Sequence, residues 1–138
     1  MSAAPESNPP AFPYQLDETG TPTAYASVDI LAADQKFVTF DFELDTGAYI
    51  TTLPASAAVA LGLTVTQGVP LSLGGVDGQP FQTYVHQVTA RFTGQTTPFV
   101  LYVAFATFEC PILLGRYMFW ESLHDIFLDM MNKETVFG

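Results

Sequence analysis

A chain of 138 residues suits one domain with a continuous core, and 49% hydrophobic against 13% charged residues excludes an intrinsically disordered protein. The formal net charge of −10 leaves only Lys36, Arg91, Arg116 and Lys133 as basic residues, scattered along the chain, which argues against nucleic-acid binding. The apolar runs are short and broken by Gly, Pro and Thr, so no membrane-spanning helix is expected. Such acidity is ordinary for a soluble cytosolic protein, and it also suits work at low pH. The N-terminus lacks a basic region followed by an apolar core, so no signal peptide is visible and a cytoplasmic location is favoured. Cys110 is the only cysteine and reads as a small core or interface residue. Neither His86 nor His124 has a partner at metal-ligand spacing, and no metal or cofactor is expected.

In chain order, Met1 to Pro13 carries Pro5, Pro9, Pro10 and Pro13, which oppose regular pairing. Residues 1–23 are expected to be a flexible Pro-rich tail and 24–138 the single domain. Ala24 to Leu31 reads as a strand, Asp34-Gln35 as a turn, and Phe37 to Leu44 as the next strand. In it Phe40, Phe42 and Leu44 alternate with Thr39, Asp41 and Glu43, the pattern of a sheet with one buried face. That strand delivers Asp45 into a Thr-Gly turn. After Ile50 to Leu53, Pro54 opens a short helix across Ala55 to Leu61 that Gly62 stops. Its run Ala57, Ala58, Val59, Ala60 and Leu61 is expected to pack inward. Val69 to Leu73 and Phe81 to Phe92 form a hairpin around residues 74–79, whose glycines permit positive φ. Pro98 to Ala106 and Pro111 to Leu114 read as strands, Arg116 to His124 as a helix, and Ile126 to Met130 and Thr135 to Phe137 as strands. With no internal repeat, many short strands and two short helices predict an all-β, closed or partly closed barrel.

The chemistry concentrates at Asp45-Thr46-Gly47. Water is a poor nucleophile toward an amide, and two carboxylates sharing one proton overcome this, one as base and one as acid. Taken alone the triplet is a strand exit, because Asp and Gly are common turn residues. Its weight comes from a second element, Ile112-Leu113-Leu114-Gly115-Arg116, an apolar strand ending in Gly-Arg before a helix-like segment.

On these residues the chain resembles the retropepsin-like aspartic proteases, the family of retroviral proteases and their single-domain cellular and bacterial relatives. Leu44 to Ala48 resembles the catalytic loop, Gly74-Gly75-Val76-Asp77-Gly78 the glycine-rich flap tip, and Ile112 to Arg116 the element before the C-terminal helix. The likeness runs from about Tyr25 to Phe137. It implies a retropepsin-like acid protease fold and an aspartic endopeptidase acting on a peptide or protein. Two-domain relatives carry the triplet twice in a much longer chain, so a single copy implies a homodimer whose two Asp45 residues form one site. The resemblance makes Asp45 catalytic, lets Thr46 hydrogen-bond across the dimer and has Gly47 bring the backbone close to substrate. Ala48 and Tyr49 would line the cleft, Gly74, Gly75, Val76, Asp77 and Gly78 would close over the peptide, and Leu114, Gly115 and Arg116 would support the loop. The apolar Val76, Phe81, Tyr84 and Leu114 predict a preference for apolar side chains flanking the cut bond. Tyr49 departs from the family pattern, which has a small polar residue there. A catalytically inactive peptide-binding or dimerisation module is therefore the alternative, and a domain excised from a larger precursor a third reading.

Overall fold

A computed structural model of the chain describes residues 10–74, 78–117 and 126–137. The elements among them are β1 (Ala11–Pro13), β2 (Gln15–Leu16), β3 (Pro22–Thr23), β4 (Tyr25–Leu31), β5 (Phe37–Leu44) and β6 (Thr51–Leu53). Helix α1 (Ala55–Leu61) and a 3-10 turn (Val65–Gln67) follow, then β7 (Val69–Gly74), β8 (Pro80–Phe92), β9 (Phe99–Ala106), β10 (Leu113–Leu114), β11 (Ile126–Asp129) and β12 (Glu134–Phe137). No helix among the described residues is long and apolar enough to cross a membrane.

The main sheet runs β4-β5-β10-β6-β9-β8-β7, and a further pairing of β8 with β4 closes the first six of these strands into a barrel. Strand β8 makes closure possible because it is long. Its first half pairs with β7, and its last residues reach β4, with Ala90 opposite Ile30 and Arg91 opposite Asp29. The barrel interior is filled by Val28, Ile30, Phe42, Leu53, Leu101, Val103, Phe105 and Leu114, each fully buried. Their alternation along the strands is the period-2 signal of the sequence.

The closure carries a buried charge. Asp29 is 6% exposed, and its carboxylate accepts hydrogen bonds from Thr39 Oγ1 (2.6 Å), Thr93 Oγ1 (2.7 Å) and Arg91 Nε (3.1 Å). The Arg91 guanidinium also lies 3.8 Å over the Phe37 ring. Burial pushes the Asp29 carboxyl up, but the two threonines and Arg91 outweigh it and hold the group below its ordinary range.

Helix α1 begins after extended Pro54 and ends at Gly62, as the sequence predicts. Gly62 has φ +69°, a left-handed conformation that glycine adopts without strain, and its N–H caps the last turn. The helix packs through Ala57, Ala58 and Leu61 only; Val59 and Ala60 are exposed, so the expected inward run is one face of the helix.

The expected tail over 1–23 is corrected at its described end. Strand β1 pairs antiparallel with β12, which pairs in turn with β11, giving a three-stranded sheet. Phe12 is buried and packs on Phe92 and Phe137, whose own ring centroids are 4.5 Å apart. Prolines cannot donate to a ladder, but β1 is an edge strand and needs partners on one side only. Phe137 N–H bonds Pro10 O and Tyr14 N–H bonds Lys133 O at its two ends. Residues 15–23 form a second ordered piece, the β2–β3 hairpin, whose turn is organised by Asp17 Oδ1 accepting from the Thr19 and Thr21 N–H groups. Residues 118–124 of the expected C-terminal helix lie outside the described residues.

Candidate active site

Strand β5 ends at Leu44 and hands the chain to Asp45. Beside it β10 is inserted between β5 and β6, parallel to the first and antiparallel to the second. The insertion lets the backbone of residues 112–117 hold the Asp45 loop. Asp45 N–H donates to Leu114 O (3.2 Å), Arg116 N–H to Ala48 O (3.0 Å) and Tyr117 N–H to Tyr49 O (2.7 Å). Thr51 Oγ1 accepts from Gly115 N–H (3.1 Å), and Thr52 Oγ1 donates to Pro111 O (3.0 Å).

Gly115 explains why this element ends in glycine. A Cβ there would lie 2.3 Å from the Ile50 carbonyl carbon and 2.5 Å from its oxygen, main-chain atoms that have no room to give. Leu114 is buried beneath the loop, whereas the Arg116 side chain is exposed with no hydrogen bond or ion pair among the described residues. The contact of Arg116 with the loop is therefore made by its backbone.

The Asp45 carboxylate is oriented by one donor among the described residues, Gly47 N–H, which reaches Oδ1 at 2.9 Å. Thr46 and Gly47 are exposed beside it. Asp45, Gly47, Ala48 and Tyr49 form one part of a cleft of about 900 Å³. Leu73, Gly74, Gln79, Pro80 and Phe81 of the β7–β8 hairpin line another part, and Phe108, Cys110 and Pro111 a third. Gly78 lies next to this lining, exposed; Gly75, Val76 and Asp77 lie outside the described residues.

Of the residues expected to give the cleft its apolar character, Phe81 alone lines it among the described ones. Leu114 serves the barrel core and Tyr84 is half-buried on β8 away from the lining, while Val76 falls outside the described residues. Phe108, not singled out in the sequence, takes up that role and packs edge-on against Phe81 with centroids 5.4 Å apart. Cys110 is half-buried and lines the cleft, its thiol pushed up by burial and by Glu109. The one sequence signal for these residues is their place just before Ile112 to Arg116.

A closed barrel holding an Asp-Thr-Gly loop against a strand inserted in parallel is the retropepsin-like fold. The structure of a retropepsin-like aspartic protease from Rickettsia conorii superposes with a TM-score of 0.62 at 16% identity, covering 91% of this chain and 95% of that one. The retroviral protease-like domain of Ddi1 from Leishmania major gives a TM-score of 0.47 at 19% identity, over 84% of this chain and 94% of that one. No curated protein sequence matches significantly. The family model described as aspartyl protease matches residues 28–116, from β4 through the Gly115-Arg116 pair, and the chain belongs to that family.

Proposed function

We propose that the protein is an aspartic endopeptidase that works as a homodimer, with one Asp45 from each chain. The observation that carries the reading is the state of Asp45: its backbone is fixed by Leu114 O, its Oδ1 is fixed by Gly47 N–H, and it opens onto a cleft. A carboxylate held this way is positioned without being saturated, as a group that must gain and lose a proton requires. Facing a second Asp45 across a two-fold axis, it would share one proton with its mate. One carboxylate would take a proton from water as it attacks the peptide carbonyl, and the other would protonate the leaving nitrogen.

The exposed Thr46 would hold the two loops together across the dimer, and Gly47 and Ala48 would let the peptide backbone lie close. The β7–β8 hairpin, whose described residues Leu73, Gly74, Gln79 and Pro80 face the cleft, would cover the peptide and treat it as an added strand. Leu73, Phe81 and Phe108 favour apolar side chains beside the cut bond.

The test is digestion of a diverse peptide mixture from acid to neutral pH, read by mass spectrometry, with wild type and Asp45→Asn compared. Cuts that disappear in the variant are the expected result; cuts that persist at full rate would overturn the assignment. A second reading rests on Asp45 being the sole carboxylate lining the cleft among the described residues. A chain that stays monomeric has half a dyad and would bind extended peptides without cutting them. Mass measured across a range of concentrations separates the two readings.

A further inference from the structure

We infer that the cleft continues into an aromatic subsite, built from Tyr49 and Tyr117 and backed by Tyr102, which takes an aromatic side chain of the bound peptide away from the cut bond. The inference rests on the reading of the cleft as a peptide site. Tyr49 lines the cleft, and its ring lies 5.2 Å from that of Tyr117, tilted by 38°. Tyr117 in turn meets Tyr102 of β9 edge-on at 5.9 Å. Three tyrosines remote in sequence thus form a row that starts inside the cleft and leads out of it.

Exposure separates this row from ordinary packing. The core aromatics Phe42, Phe105 and Phe137 are at most 1% exposed, while Tyr49 is 52% and Tyr117 37% exposed. Large aromatic surface left open beside a cleft, with hydroxyls to keep it wetted, is the composition of a recognition surface. The row is also held in place. Tyr117 N–H bonds Tyr49 O at 2.7 Å, and Arg116 N–H bonds Ala48 O at 3.0 Å, so the backbones beneath the two rings are tied together. The backbone under the row therefore need not be ordered when a ligand ring arrives. Exposed tyrosine faces pair in offset or edge-on geometry with another ring, which makes an aromatic side chain the matching ligand.

The experiment aligns the cleavage sites of a peptide library for wild type, Tyr117→Phe and Tyr117→Leu, each first shown to be folded by its thermal melt. The expected result is an aromatic preference of about three- to tenfold at one position not adjacent to the cut bond, kept in Tyr117→Phe and lost in Tyr117→Leu. Preferences at the two residues flanking the cut should persist in both variants. Absence of a distal aromatic preference in wild type, or its survival in Tyr117→Leu, overturns the subsite. If wild type cuts nothing, the protease reading fails separately. The subsite is then read by the Kd of alanine nonapeptides with one Phe moved along the chain: tighter binding at one Phe position that Tyr117→Leu abolishes supports it, and equal binding at all positions refutes it.

Discussion

Asp29 and Asp45 are placed by adjacent strands, one within β4 and the other just past the end of β5, yet their surroundings differ in kind. Asp29 is buried and receives three side-chain donors, two hydroxyls and a guanidinium. Asp45 is half-exposed, receives a single N–H among the described residues, and lines a cleft. The first carboxylate is committed to the fold, because it is buried and three side-chain donors already occupy it. The second retains acceptor capacity for a ligand or for water. Counting donors thus separates a structural carboxylate from an available one where residue type cannot.

Asp45→Asn should have the largest effect on activity. Asparagine keeps the volume and can still accept from Gly47 N–H, so peptide cleavage should fall by about a thousandfold or more with the melting temperature nearly unchanged. A large drop in melting temperature would show that Asp45 is also a structural group. Gly115→Ala tests the cradle rather than the carboxylate. The added methyl meets the Ile50 backbone, and a cost of about 3 kcal/mol in urea unfolding is expected, with activity lost in parallel.

Asp29→Asn should show the opposite profile, a loss of about 1–3 kcal/mol with the cleavage rate per folded molecule retained. The amide turns an N–H toward Arg91, but the Arg91 side chain is 33% exposed, so water relieves part of the loss. The smallest effect is in pH. Folding holds the Asp29 carboxyl below its ordinary value of 3.8, so its contribution is complete above that pH and is lost as pH falls through the folded value. The stability gap between wild type and Asp29→Asn should therefore be constant at neutral pH and shrink below about pH 4. A gap that instead grew toward acid in urea titrations would contradict the placement of Asp29.

Much of this was legible before the structure. Strand β5 running into Asp45, helix α1 between Pro54 and Gly62, and the β7–β8 hairpin each announce themselves through neighbouring residues, since alternation, caps and turn glycines act over a few positions. What stayed hidden depends on contacts distant in sequence. The Pro-rich start hid Phe12, whose burial is decided by Phe92 and Phe137. Asp29 and Arg91 became partners only through barrel closure, and no local pattern marks either. At the site, the loop and the Gly-Arg element were visible as motifs, while Phe108 and Cys110 reach the cleft from an irregular segment with no periodicity to read.

The insertion of β10 between β5 and β6 also fixes an order of events. As the chain leaves the ribosome, β5, β6 and the Asp45 loop emerge long before Leu113 and Leu114, and the space between those two strands can be filled only when they arrive. A nascent or truncated chain that stops short of them has the carboxylate but not the scaffold that aims it. The Asp45 loop is thus among the last parts of the barrel to be finished.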